Sequence, residues 1–172
     1  KNRIGFSNLI SSVLDAAGKH AEANNFGIEN LMKIGKTWVL SRILFDFITK
    51  QPETHNIYVE TWVDNIEDVF TNRRFNVFDE GKKLFASAST KWAMIDITSR
   101  RFLPLKKYLD ENYVVGGKDL FCEEPSMISF NDNNWKFIRK IETLYSDIDI
   151  NKHVTSTRYI QWILDVFSLE YH

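Results

Sequence analysis

The stretch FNVFDEGKKLFASASTKWAMIDI, Phe75 to Ile97, decides the fold. It is rich in aromatic and β-branched residues, and DEGK at Asp79–Lys82 interrupts it with the composition of a hairpin turn. The runs before it, KTWVLSRILFDFI, NIYVETWVDNI and VFTNRRFNVFD, have the same character. In the second of them, Ile57, Val59, Thr61 and Val63 alternate with Tyr58, Glu60 and Trp62, the period of a half-buried strand. Together these runs predict one long antiparallel meander.

On the N-terminal side, Leu9, Ile10, Val13, Leu14, Ala17 and Ala21 recur at helical spacing. A helix is expected from Ser7 to about Asn24, with Ser7 as N-cap and Gly27 as stop. On the C-terminal side, Pro104 to Asn134 reads as a linker, with Gly116–Gly117, Pro125 and the cluster NDNN. Trp135 to Tyr145 reads as another strand, and a second helix is expected from Thr155. At an offset of 150 residues the two helices match: Leu9, Ile10, Val13, Leu14 and Ala17 fall on Tyr159, Ile160, Ile163, Leu164 and Phe167. This internal repeat predicts a first domain over 1–103, a linker over 104–134 and the start of a second copy over 135–172. The opening KNRIGFSNLI reads as the middle of a folded unit, and the second copy has only begun when the chain stops.

Composition narrows the function classes. Of the 172 residues, 44% are hydrophobic and 26% charged, an ordinary globular balance. The net charge of −1 gives no overall pull toward nucleic acid or an anionic membrane. No run of about 18 apolar residues predicts a membrane span. The single Cys122 excludes an intramolecular disulfide and a cysteine metal cluster. With no visible signal peptide, this predicts a cytoplasmic protein. Ser41 lacks the G-x-S-x-G elbow, and there is no glycine-rich phosphate loop or metal-ligand spacing. Cys122 has no base near it in sequence, so a nucleophilic role is not expected.

One polar stretch carries chemistry: SDIDINKHVTSTRYIQW, Ser146 to Trp162. Asp149, Asn151 and His153 are its candidates for acid–base work. As turn and capping residues, Asp149, Asn151 and Thr155 have an equally good explanation, with His153 an incidental loop histidine.

Several segments are similar, in order, to those of one family: AAGKHA (Ala16–Ala21), WVLSR (Trp38–Arg42), VETWVD (Val59–Asp64), FNVFDEGKKLFASASTKWAMIDITSRR (Phe75–Arg101) and DINKHVTSTRYIQWILD (Asp149–Asp165). They resemble the acyl-ACP thioesterases of fatty acid synthesis. The resemblance implies an α+β hotdog fold, a long central helix wrapped by an antiparallel sheet, in tandem as a double hotdog. It implies hydrolysis of the thioester between a fatty acyl chain and acyl carrier protein, with no metal or organic cofactor beyond the carrier's phosphopantetheine. It also places the working residues on a D-x-N-x-H-V motif, here Asp149, Asn151, His153 and Val154. A further acidic residue and a Cys or its equivalent lie downstream of that motif in plant members, past the end of this chain. Plant members also follow the Val with two Asn, where this chain has Thr155 and Ser156, so no role is carried over to those side chains.

In that chemistry His153, with a reference pKa near neutrality, is the proton acceptor. Asn151 holds the water or the carbonyl. Asp149 orients Asn151 or His153 and favours the useful tautomer. The backbone N–H groups of Val154, Thr155 and Ser156, at the start of a helix, form an oxyanion site. An extended segment sets Asp149, Asn151 and His153 on alternate positions facing one way. At the same offset the first copy has Lys1 and Arg3 in place of Asn151 and His153, so only the second copy carries the constellation. His20, near Asp15, is expected as a core or boundary histidine.

By resemblance the first hotdog binds the acyl chain, with Trp38, Leu40 and Trp62 as candidate wall residues, for each of which core packing is an equal explanation. Arg73–Arg74, Lys82–Lys83, Arg100–Arg101 and Lys106–Lys107 are candidates for a basic patch that steers the acidic carrier protein; solvated strand edges explain them as well. A homodimer is open, since hotdogs pair sheet to sheet. The rival readings are another hotdog enzyme, such as an acyl-CoA thioesterase, and a non-catalytic acyl-binding module.

Overall fold

The computed structural model describes residues 3–109, 121–129, 136–149, 152–168 and 170. The chain divides into two compact units, Lys1–Met127 and Ile128–His172.

The first unit opens with helix α1, Phe6–Ala23, followed by the short helix α2, Ile28–Lys33. The apolar stripe behaves as its spacing predicts: Leu9, Ile10, Val13 and Ala17 are buried. The ends differ from expectation. Gly5, not Ser7, is the N-cap, and its carbonyl accepts the N–H groups of Asn8 and Leu9. Gly27 does not stop α1. Asn25 does, in the left-handed region at φ 65°, while the Asn25 N–H donates to Glu22 O (3.1 Å) and Phe26 N–H to Ala21 O (3.0 Å). That is a Schellman ending on an Asn, the non-glycine residue best suited to this conformation. Gly27 instead caps α2, and a Cβ there would collide with the Glu22 carboxylate.

Four strands follow: β1 Lys36–Phe47, β2 Tyr58–Ile66, β3 Phe70–Phe78 and β4 Leu84–Asp96. Asp79 O accepts the Lys82 N–H (2.9 Å) and Lys82 takes φ 60°, so DEGK is the β3–β4 turn. The order in the sheet is β1-β4-β3-β2, all neighbours antiparallel. The meander therefore covers only β2 to β4. β1 crosses over and pairs with β4, Lys36 opposite Asp96 and Phe47 opposite Ala86. Hydrophobic period fixes which residues share a face, but not which strand lies beside which.

Successive residues on a strand point to opposite faces. On one face Phe75, Val77, Ala86 and Ala88 meet Leu9, Val13 and Ala17 of α1, with Phe85 in the same cluster. The two alanines of FASAST leave room for the phenylalanine rings and a close helix. A helix on one face of an antiparallel sheet is the hotdog arrangement. The opposite face is polar yet buried. Arg74 lies there, 5% exposed, donating to Asp64 Oδ2 (2.9 Å), Ser89 Oγ (3.1 Å) and Cys122 O (2.7 Å). Ser87 and Ser89 provide the space that a guanidinium needs.

Arg73, one residue earlier, faces the helix side and is 7% exposed. Its guanidinium donates to Thr61 Oγ1 (3.3 Å), and burial lowers its pKa to about 10. Burial, and then this cation, hold the His20 imidazole below its ordinary 6.5, and His20 Nδ1 has no hydrogen-bond partner. The sign follows. As pH falls through about 6.5 the unfolded chain binds the proton before the folded one, so stability is lost on acidification. His20→Gln is expected to flatten the fall in urea midpoint between about pH 7 and 5. An unchanged slope would assign the acid sensitivity elsewhere.

In the second unit, a 3₁₀ turn at Tyr145–Asp147 precedes helix α3, Ser156–Leu164. The expected strand over Trp135–Tyr145 does not form: Trp135 lies outside the described residues, and residues 136–144 are irregular and exposed. A strand needs a neighbour to satisfy its N–H and C=O groups, and among the described residues of this unit none runs beside it.

Candidate active site

The polar stretch folds into a closed loop, not an extended segment. Ile148 and Val154 form an antiparallel bridge. Around it Asp149 N–H donates to His153 O (2.8 Å) and Thr155 N–H to Asp147 O (2.8 Å). At the tip, Lys152 N–H donates to Asp149 O (3.0 Å), and Lys152 adopts φ 61°. Asp149 and His153 stand on either side of this left-handed residue, so the two are not on one extended run as expected. Asn151 lies outside the described residues.

Asp149 and His153 do come together, through the main chain: Asp149 Oδ1 accepts the His153 N–H at 3.1 Å. The carboxylate thereby closes the loop as an Asx-type turn. His153 itself is exposed, open to a substrate carbonyl or a water. Thr155 is the N-cap of α3 by position, but its side chain makes no cap hydrogen bond. Its N–H is already bonded to Asp147 O, so it is not an oxyanion donor. The N–H groups of Val154 and Ser156 donate to no acceptor among the described residues. The bridge is of the non-bonded type, which turns the Val154 N–H away from Ile148, and Ser156, as the first helical residue, has no intrahelical acceptor.

Two residues that were not singled out hold this loop. Asp147 is 3% exposed, and its Oδ2 accepts the Leu144 N–H at 2.8 Å. Arg158, in the first turn of α3, donates from Nε to Asp147 Oδ1 at 2.7 Å. The sequence held a signal for them: a second carboxylate two positions before Asp149, and a cation within one turn of the helix start.

The acyl-wall candidates do not share a face. Trp38 and Leu40 lie opposite Met94 and Trp92, on the helix side of the sheet. Trp38 packs against Phe26, Leu31, Met94 and Leu105, and its Nε1 donates to Phe26 O (2.9 Å). Trp62 lies opposite Arg74, on the other face, 3% exposed, beside Phe121 and Cys122. Its antiphase with Val59 and Thr61 is the reason. Trp38→Phe is expected to lower stability by about 1–2 kcal/mol in urea unfolding. A change in acyl-chain affinity at unchanged stability would make it a wall residue instead.

Three of the basic pairs are separated, while Lys107 shares the Tyr108 ring with Lys36, at the β4 end that carries Arg100–Arg101. Arg73 and Arg74 are buried on opposite faces. Lys82–Lys83 and Arg100–Arg101 flank opposite ends of β4, 84–96, roughly 40 Å apart at strand rise. Burial pushes the Cys122 thiol above its usual pKa, which disfavours a thiolate nucleophile. No trio of His, Cys, Asp or Glu placed to hold a metal occurs among the described residues, and no helix among them is long and apolar enough to cross a membrane.

Comparison with known proteins adds a sequence-wide correspondence. Residues 1–113 match the acyl-ACP thioesterase N-terminal domain, and residues 131–172 match the acyl-ACP thioesterase C-terminal domain. An acyl-ACP thioesterase structure from Bacteroides thetaiotaomicron is 36% identical with a TM-score of 0.87, covering 98% of this chain and 68% of that one. The 12:0-ACP thioesterase of Umbellularia californica, at 16% identity and a TM-score of 0.75, covers 96% of this chain and 68% of that one and shares the fold. The chloroplastic oleoyl-acyl carrier protein thioesterase of Coriandrum sativum is 24% identical over 92% of this chain. The chain spans about half the length of the curated relatives that it matches, 47% of the Coriandrum protein. A hotdog first unit and two matched domains in the same order lead to one conclusion: the chain belongs to the acyl-ACP thioesterase family.

Proposed function

We propose that the protein hydrolyses the thioester of fatty acyl-ACP, releasing free fatty acid and the carrier thiol. The observation that carries this reading is the closed loop at the start of α3, where Asp149 holds the His153 main chain at 3.1 Å, next in sequence to Val154 and Ser156, whose N–H groups donate to no acceptor among the described residues. In this proposal residues 1–103 form the acyl-binding hotdog, within the compact unit that runs on to Met127. Residues 104–134 link it to a second hotdog that opens with residues 135–172.

Water attacks the thioester carbonyl carbon as His153 takes its proton. The carbonyl π pair moves onto oxygen, where the Val154 and Ser156 N–H groups stabilise the charge. The tetrahedral intermediate collapses, the C–S bond breaks, and the thiolate leaves with the proton held by His153. The Asn151 amide orients the water or the carbonyl. Asp149 acts by fixing the turn that aims His153. It also orients Asn151 or the His153 ring and favours the useful tautomer.

The test uses the longest product of the gene and follows thiol release from matched acyl-ACP and acyl-CoA panels. Faster release from acyl-ACP supports the reading. Preference for acyl-CoA would move the protein to another hotdog thioesterase reaction. Acyl binding without release would leave a non-catalytic module.

A further inference from the structure

We infer that the Asp147–Arg158 pair is a positioning device that sets the catalytic loop against the first turn of α3; this rests on the hydrolase reading above. Asp147 lies where the two ends of the loop meet. Its carbonyl accepts the Thr155 N–H (2.8 Å), fixing the C-terminal end. Its carboxylate accepts the Leu144 N–H (2.8 Å) and the Arg158 Nε–H (2.7 Å), fixing the N-terminal approach and the helix. Arg158 is held in turn by Gln161 Oε1 (2.7 Å) and Ser146 Oγ (3.4 Å). One buried carboxylate thus links residues 144, 155 and 158, while Lys152 and His153 at the loop tip are exposed.

Two physical points set this pair apart from an ordinary surface bridge. Asp147 is 3% exposed, and removing one partner of a buried ion pair is far more costly than breaking a surface one. A cation in the first turn is opposed by the helix dipole, so Arg158 is poorly placed for the helix's own stability. Its position is accounted for by Asp147. The distance between the His153 ring and the Val154 and Ser156 N–H groups depends on how this loop meets the helix. A misplacement of about 1 Å between such groups costs on the order of 10²-fold in rate. Neither Asp147 nor Arg158 needs to touch substrate to have that effect.

The test compares wild type, Arg158→Gln and Arg158→Lys in the full-length protein. It measures kcat, KM, thermal midpoint and amide hydrogen exchange at Leu144, His153 and Thr155. Arg158→Gln is expected to lower kcat about 10–100-fold with KM nearly unchanged, to lower the thermal midpoint because the buried Asp147 loses its partner, and to speed exchange at Thr155 and His153 above all. Arg158→Lys, which keeps the charge but not the fork, is expected to recover part of kcat. An unchanged kcat in Arg158→Gln would overturn the inference. So would a kcat loss accompanied by equally faster exchange at amides away from the loop, since that is the signature of general unfolding. A wild type that releases no thiol would sink the hydrolase reading and the catalytic purpose with it. Exchange at Thr155 then decides the remainder: unchanged protection in Arg158→Gln means that the pair does not hold the loop.

Discussion

His153→Ala is expected to lower kcat for thiol release by about 10²–10⁴-fold, the contribution of a positioned general base, with little change in KM or thermal midpoint. The main-chain bonds of the loop survive this substitution. His153 takes part in loop closure through its main chain, accepting from Asp149 N–H and donating to Asp149 Oδ1. Alanine keeps both bonds, and the exposed imidazole fills no core space. Steady-state kinetics on acyl-ACP with the full-length protein, beside a thermal melt, separate the two effects. Activity within a fewfold of wild type would remove His153 from the chemistry. A collapsed melt would make it a structural residue.

The second large effect is on stability. Arg74→Ala is expected to cost about 3–5 kcal/mol, the usual result of removing one partner from a buried ion pair. Asp64 would lose the partner at 2.9 Å, and Ser89 Oγ and Cys122 O would lose the guanidinium donors at 3.1 and 2.7 Å. Because Arg74 also ties the segment at Cys122 to the sheet, the buried thiol should react faster with a maleimide in the mutant. Arg74→Lys should recover only part of the loss, since an ammonium does not reproduce a fork that serves partners on several sides. Urea unfolding and thiol labelling give independent readings. A midpoint near that of wild type would mean that the pair is replaceable by water.

Much of this architecture was legible because it is periodic. The α1 stripe, the DEGK turn and the extents of the four strands follow from spacing and turn chemistry. What was not legible depended on partners. The place of β1 beside β4 is a tertiary choice that its own sequence does not record. The end of α1 at Asn25 rather than Gly27 depends on which residue the chain places in the left-handed position. The grouping of Trp62 with Trp38 and Leu40, and of Arg73 with Arg74, overlooked a rule that was available: neighbours on a strand point apart. The loop at Asp149 was located by residue type, but its shape depends on Lys152, a residue type that seldom signals a turn. Asp147 and Arg158 were passed over because one carboxylate among several is conspicuous only when its burial is known.

The crossover of β1 has a consequence for how the chain is made. Lys36 must wait for Asp96, and at synthesis rates of about 5–20 residues per second that is roughly 3–12 s. Through that interval TWVLSRILFDF has left the ribosome with no edge to join, a long apolar segment in a crowded cell. The hairpins β2–β3 and β3–β4 close locally and early, while β1 closes the longest loop of the sheet. Nascent-chain yield, rather than the equilibrium stability of the finished sheet, would then be the property most sensitive to apolar substitutions in β1.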